Sequence, residues 1–285
     1  MNKNELDVNA AINFGNLLMS AYSVLPSNLA NRAGQMIDNA YDVFSFEHKI
    51  VSSIYGHDLA TQINPPRQDD WVSFGHITQD KNGHVVVTIR GTSGVWEWMH
   101  DAAFLALPCG ITTAAGFTED GFTAVYGSLT DTNQKGSVPL RQSLDELVFE
   151  HPVTSLSVCG HSLGAALATL LGFDIAANST KFDDVNVYTF ASPRVGDMIF
   201  ARRYNELVKR NWRIHNRCDI VPNLPPIAPI IYEHVGGGFE LIPNDVVLEV
   251  RCEHAMETYL HLLGLYPEAS IKRQLSEKCT YVHAT

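Results

Sequence analysis

The sequence predicts an α/β domain built on one core, and three observations carry that expectation. A strand-like run, Ser155-Leu156-Ser157-Val158, leads through Cys159-Gly160-His161-Ser162-Leu163-Gly164 into a helix-like run. That helix is apolar nearly all round, from Leu163 through Leu167, Leu170 and Leu171 to Ile175, which marks a helix enclosed in a larger body. Two later strand-like runs, residues 185–191 and 212–216, each end in a loop that bears an aspartate. With 285 residues and 45% hydrophobic content the chain can fill a large core, and neither a linker nor an internal repeat divides it. Residues 1–285 are therefore expected to form a single domain, with residues 1–45 as an N-terminal helical segment packed on it.

Taken in order, Phe14, Leu17, Leu18, Ala21, Tyr22 and Leu25 recur at helical spacing, so residues 11–25 read as a packed amphipathic helix. Asn13, Asn16, Ser20 and Ser23 interrupt it, and it is too short to span a bilayer. No signal peptide is visible before it, which points to a cytoplasmic protein or one exported without a recognisable leader. Asp80-Lys81-Asn82-Gly83 joins strands at residues 71–77 and 84–90, because Asn-Gly is a strong hairpin signal. The second of these strands runs directly into Gly91-Thr92-Ser93-Gly94. Trp96, Trp98 and Phe104 then stand among Glu97, His100 and Asp101, a mixture suited to a short helix with one wet face, and about residues 93–115 read as a lid. Beyond the glycine-flanked serine come the strand 185–191, a helix from Met198 to Arg210 and the strand 212–216. A proline-stiffened ordered loop, strands at 230–235 and 246–250, and a helix over 255–265 complete the chain.

The net charge of −11, from 20 basic and 31 acidic residues, excludes nucleic acid and anionic membrane surfaces as natural partners. Cys109, Cys159, Cys218, Cys252 and Cys279 form an odd set without metal-ligand spacing. They are expected to be mostly free and partly buried, with a bridge between Cys218 and Cys252 left open.

A serine between two glycines at a strand-to-helix junction is the setting of a nucleophile elbow. The pattern Gly-x-Ser-x-Gly arises by chance in roughly one chain in ten of this length, so the buried helix behind it is what gives it weight. The hydroxyl needs a general base, and the base needs a carboxylate that fixes its tautomer, in the chain order Ser, acid, His. Asp197 stands where a helix begins and is explained by that position, whereas Asp219 follows its strand directly. Among the later histidines, His254 is favoured because it opens a helix after a strand, and His234 is the alternative. A loop leaving a central strand near the elbow supplies the second oxyanion donor in this architecture, so the Thr92 and Leu163 amides are assigned to that hole.

Four ordered motifs then carry a resemblance: Arg90-Gly91-Thr92-Ser93, Gly160-His161-Ser162-Leu163-Gly164, Ser192-Pro193-Arg194-Val195-Gly196 and Asp219-Ile220-Val221-Pro222. Over roughly residues 70–265 the chain resembles the class 3 lipases of the filamentous-fungal type. The resemblance implies an α/β-hydrolase fold with a central, mostly parallel sheet flanked by helices and a short helical lid. It implies a triad of Ser162, Asp219 and His254, an oxyanion hole at Thr92 and Leu163, Trp98 and Asp101 as lid residues, and Tyr22 beside the acyl site. It also implies hydrolysis of acylglycerol esters through an acyl-enzyme, without metal or organic cofactor. Phospholipase A1 or feruloyl-type esterase activity is the alternative on the same fold, and a non-catalytic hydrolase-fold binding protein is the alternative of another class. The apolar side chains Trp96, Trp98 and Phe104 favour a lipid substrate met at a lipid–water interface.

Overall fold

A computed structural model describes residues 5–23, 48–57, 71–91, 104–132, 138–226, 231–243, 245–247, 250–265 and 281–283. The scaffold is a sheet of eight strands in the order β12-β10-β8-β7-β3-β2-β1-β6. Its elements are β1 (His48–His57), β2 (Trp71–Asp80), β3 (His84–Ile89), β6 (Thr130–Asp131), β7 (Ser155–His161), β8 (Asn186–Phe190), β10 (Arg210–Asn216) and β12 (Gly238–Leu241). The strands from β3 through β7, β8 and β10 to β12 run parallel, and β2, β1 and β6 add antiparallel neighbours on the far side. Strands buried on both faces lose the polar alternation of a half-exposed strand, which is why Val85, Val86 and Val87 follow one another on β3.

Each face of the sheet has its own core. On one, Val85, Val87, Leu156 and Val158 meet α2 (Asp120–Ser128), α3 (Leu140–Glu146), α4 (Leu163–Asn178) and α5 (Met198–Leu207). Phe173 of α4 is fully buried there, with the rings of Phe200 and Tyr204 at 5.3 and 6.2 Å. Truncating such a ring typically costs about 3–5 kcal/mol. On the other face Val86, Cys159, Tyr188 and Ile214 meet α1 (Val8–Ser23) and α7 (Met256–Leu262) through Phe14, Leu17, Leu18, Tyr259 and Leu260. The expected N-terminal helix is therefore present, shifted by three residues at its start.

A second, antiparallel sheet in the order β11-β9-β5-β4 comprises β4 (Ala106–Pro108), β5 (Phe117–Glu119), β9 (Gly196–Asp197) and β11 (Tyr232–Glu233). Part of the segment expected to form the lid belongs to this sheet. Residues 92–103 lie outside the described residues, but Ala106–Pro108 is extended because it pairs with β5, Ala106 opposite Glu119 and Pro108 opposite Phe117. The expected strand over 246–250 is also shorter. Backbone pairing with β14 (Tyr281–His283) ends β13 (Asp245–Val247), and α6 (Val250–His254) follows. Cys252 on α6 is disulfide-bonded while Cys109, Cys159 and Cys218 are free, which removes the Cys218–Cys252 bridge as a possibility.

Glu119 caps α2. Its Oε2 accepts the Phe122 amide at 2.8 Å, and burial pushes its carboxyl up to about 7, against the smaller opposing pull of the Phe122 and Gly121 amides. A folded pKa above the ordinary 4.5 means that the folded state holds the proton more tightly, so this group's contribution falls as pH rises from about 4.5 to 7. Glu119→Gln keeps an acceptor for the Phe122 amide and cannot ionise. In urea melts the variant gains on the wild type between about pH 5 and about pH 8, by on the order of 3 kcal/mol at most. A difference that stays flat over that interval would remove Glu119 as the titrating group.

Candidate active site

Ser162 stands between β7 and α4 with φ 59° and ψ −127°, a strained backbone held by its amide donating to the Phe190 carbonyl at 3.0 Å. Such a conformation costs on the order of 1–3 kcal/mol and survives only where its surroundings enforce it. The two flanking glycines are part of that enforcement. A Cβ on Gly160 would lie 2.1 Å from the Gly164 carbonyl oxygen, and one on Gly164 would lie 2.2 Å from that of Ile89. The turn thus packs β7, α4 and the end of β3 against one another through backbone alone. Leu163 is the first residue of α4, so its amide has no intrahelical acceptor and is available to an oxyanion.

The sequence-predicted acid and base are brought to this serine. His254 Nε2 lies 2.8 Å from Ser162 Oγ, and His254 Nδ1 lies 2.8 Å from Asp219 Oδ2. All three side chains are buried, at 1%, 6% and 1% exposure for Ser162, His254 and Asp219, so these bonds act where water does not screen them. Asp219 is fixed from three further directions. Its own amide donates to the Asn216 carbonyl at 3.1 Å, the Val221 amide donates to Oδ1 at 3.0 Å, and the Tyr259 hydroxyl donates to Oδ2 at 2.8 Å. Burial, and then the Asp219 charge, raises Tyr259 well above the usual phenol range, so the hydroxyl stays a donor.

Residues beyond the triad, among them Tyr22, which the resemblance placed beside the acyl site, tie these parts together. Asn216, at the end of β10, donates through Nδ2 to the Glu253 carbonyl at 3.0 Å and to Glu253 Oε2 at 2.6 Å, while its amide donates to the Tyr259 hydroxyl at 3.1 Å. One side chain thereby locks the residue before His254 to the strand that delivers Asp219. His161 donates through Nε2 to the His254 carbonyl at 2.9 Å and accepts the Tyr22 hydroxyl on Nδ1 at 2.7 Å. Burial, and then the proximity of His254, holds His161 well below the usual imidazole range, which keeps it neutral, and the His254 carbonyl, which can only accept, fixes this tautomer. Tyr22 in turn accepts the Gly91 amide at 2.8 Å, so its hydroxyl serves the loop after β3. Arg194 donates through Nη1 to the carbonyls of Asn223 and Pro225, bracing the loop beyond Asp219.

Other expected residues fall elsewhere. Thr92, Trp96, Trp98 and Asp101 lie outside the described residues, although Gly91 stops close to Ser162: a Cβ on it would lie 2.9 Å from the serine Cβ. Phe104 is half-buried, with its carbonyl accepting the Tyr232 hydroxyl at 3.0 Å. Asp197 caps α5, accepting the Phe200 amide at 2.8 Å, as its place at a helix start implied. His234 bonds the Pro222 carbonyl at 2.7 Å, and burial beside Arg213 holds it down to about 3, so it braces the same loop and is not at the serine. His254 itself is the last residue of a short helix, with Ala255 extended before α7, where a strand-to-helix loop was expected.

The sequence profile of the class 3 lipase family matches residues 86–228, half of the chain, from within β3 through the elbow to the Asp219 loop. A phospholipase A1-II 1 of Oryza sativa subsp. indica is 34% identical over 181 residues, covering 57% of this chain and 46% of that protein. The chain thus spans about half the length of the curated relatives it matches. Among solved structures, M37 lipase superposes with a TM-score of 0.71 over 94% of this chain and 98% of that one, at 18% identity. The Rhizomucor miehei triacylglyceride lipase superposes with a TM-score of 0.61 over 82% of this chain and 80% of that one, at 21% identity. Both likenesses are those of the α/β-hydrolase fold. The chain belongs to the class 3 lipase family.

Proposed function

We propose that the chain hydrolyses acyl esters of glycerolipids, with Ser162 as nucleophile, His254 as general base and Asp219 as its orienting carboxylate. The observation that carries this reading is the unbroken line of 2.8 Å bonds from Ser162 Oγ through His254 to Asp219 at a strained elbow. His254 Nε2 takes the hydroxyl proton as Oγ attacks the ester carbonyl, and Asp219 stabilises the imidazolium that forms. The oxyanion rests on the Leu163 amide together with that of Thr92, one such donor being worth about 2.7–4 kcal/mol in the transition state. His254 then protonates the departing alcohol, and water activated by the same ring releases the fatty acid from the acyl-enzyme. These steps draw on protein groups alone.

Lipid is favoured over a dispersed ester by exposed apolar side chains on and flanking the second sheet and beside Asp219. Leu105 is 57% exposed, Met198 62%, Ile231 64% and Ile220 45%, and Phe117 joins them. Patches of this kind mark contact with apolar surfaces. Among the described residues no helix is long and apolar enough to cross a membrane. In this reading the substrate is met at a lipid–water interface through these apolar side chains, with about residues 93–115 as the lid. Nucleic acid is no partner for a chain of charge −11. A second reading, phospholipase A1, is favoured by the names of the plant relatives.

Fatty-acid release from emulsified triacylglycerol, phosphatidylcholine vesicles and soluble p-nitrophenyl esters separates these readings. The expected result is release from triacylglycerol that rises sharply above the substrate's solubility limit. A 2-acyl lysophospholipid as the main product moves the assignment to phospholipase A1, and turnover confined to soluble esters overturns the lipid reading.

A further inference from the structure

At the other end of the sheet, His48, Asp80 and His84 come from three neighbouring strands, β1, β2 and β3, onto one half-buried spot. Each offers a ligand atom, and these atoms all lie within 4.8 Å of one another. His48 is paired directly with Asp80 across the antiparallel β1–β2 ladder, and the turn that follows Asp80 returns the chain to His84. This is the face covered by α1, whose Phe14 ring meets the His84 ring edge-on at 6.2 Å.

We propose that His48, Asp80 and His84 bind a Zn²⁺ ion that clamps β1 to the β2–β3 hairpin. Two imidazoles and one carboxylate are an ordinary zinc donor set, with bonds near 2.0–2.2 Å that put ligand atoms roughly 3.4 Å apart. Closure therefore needs movements of about 1 Å by half-exposed side chains. The surroundings already do what outer groups do at metal sites. His84 Nε2 lies 2.9 Å from Ser157 Oγ, and His48 Nδ1 lies 3.3 Å from Thr78 Oγ1, hydroxyls that help to set the two rings. Asp80 Oδ1 accepts the amides of Asn82 at 2.9 Å and His84 at 2.8 Å, which orients the carboxylate before any ion arrives.

The clamp has a mechanical reason to exist. β1 pairs with β2 through two register irregularities, between Ile50 and Ser52 and between Ile54 and Tyr55, so its ladder is interrupted twice along its length. An ion at His48 secures the first residue of that strand. Strands β3 and β7 run in parallel from the His84–Ser155 pair to the Ile89–Gly160 pair, about 17 Å, before Ser162 is reached, so the ion takes no part in ester hydrolysis.

The test uses tag-free full-length protein stripped with chelator and titrated with Zn²⁺ by calorimetry, and with Co²⁺ as a spectroscopic probe. One equivalent binds per chain, Co²⁺ gives the visible absorption of a four-coordinate nitrogen and oxygen site, and the melting temperature rises with Zn²⁺ concentration. His84→Gln and His48→Gln abolish saturable binding while melting cooperatively without metal. Ser157→Ala, which removes only the hydroxyl behind His84, weakens binding by about 10–100-fold. Unchanged affinity in the two histidine variants, or no saturable binding to the wild type, overturns the site. Ester hydrolysis is the same in stripped and loaded protein, which keeps this result separate from the outcome for Ser162.

Discussion

Alanine at position 162 lowers kcat for ester hydrolysis by about 10⁶, the scale of loss when a serine hydrolase is deprived of its nucleophile. The size of the effect follows from how completely the site depends on one oxygen. Ser162 Oγ is the atom 2.8 Å from His254 Nε2, and the nearest alternative nucleophile on the same strand cannot replace it. Cys159 is fully buried, its thiol lies 3.6 Å from Thr88 Oγ1, and burial pushes it up to about 12, so it is a protonated thiol facing the other core. What survives in the variant is the stabilisation of an attacking water by the oxyanion amides, on the order of 10³–10⁴ over the uncatalysed reaction. The fold is expected to persist. Alanine bears the same Cβ as serine, so the strain at φ 59° is unchanged, and the amide still donates to Phe190. Steady-state hydrolysis of a p-nitrophenyl ester, with circular dichroism and a thermal melt on the same preparation, measures both halves. A folded variant retaining more than a hundredth of the wild-type kcat would remove Ser162 as the nucleophile.

The elbow was legible in the sequence because its demands are local. Gly160 and Gly164 are where backbone meets backbone, and no other residue type fits such contacts, so the pattern and the geometry are one fact. Asp219 and His254 were legible for a related reason: the order of strand ends along the chain mirrors their order around the site. The supporting contacts were not, since nothing local marks them. Asn216 reaches Glu253 across 37 positions and Tyr22 reaches His161 across 139, contacts that only the closed sheet creates. The segment around Ala106 misled in the opposite sense, because its apolar content suits a helix and only the ladder with β5 makes it a strand. His48, Asp80 and His84 show the same limit, since ligands spread over three strands carry no short spacing motif.

Asparagine at position 219 lowers kcat by about 10⁴ with little change in KM, because it reverses the direction of the bond that sets the imidazole. In the native site Asp219 Oδ2 accepts from His254 Nδ1, which leaves Nε2 without a proton and able to take one from Ser162. An amide nitrogen in place of Oδ2 would donate to Nδ1 instead, move the ring proton to Nε2 and turn the base into a donor toward the serine. The same nitrogen faces Tyr259, whose hydroxyl donates to Oδ2 at 2.8 Å and already accepts the Asn216 amide at 3.1 Å. Its proton would lose its acceptor at a fully buried site, so the variant also loses about 1–3 kcal/mol of stability. Tyr259→Phe separates the two effects. It removes one bond to Asp219 and leaves the carboxylate in place, so kcat falls by no more than about tenfold while stability drops because the Asn216 amide loses its partner. Comparing kcat, KM and the urea midpoint for the two variants decides the matter. If Asp219→Asn kept more than a tenth of the wild-type kcat, the carboxylate would be a structural brace for the loop and the tautomer of His254 would be set by something else.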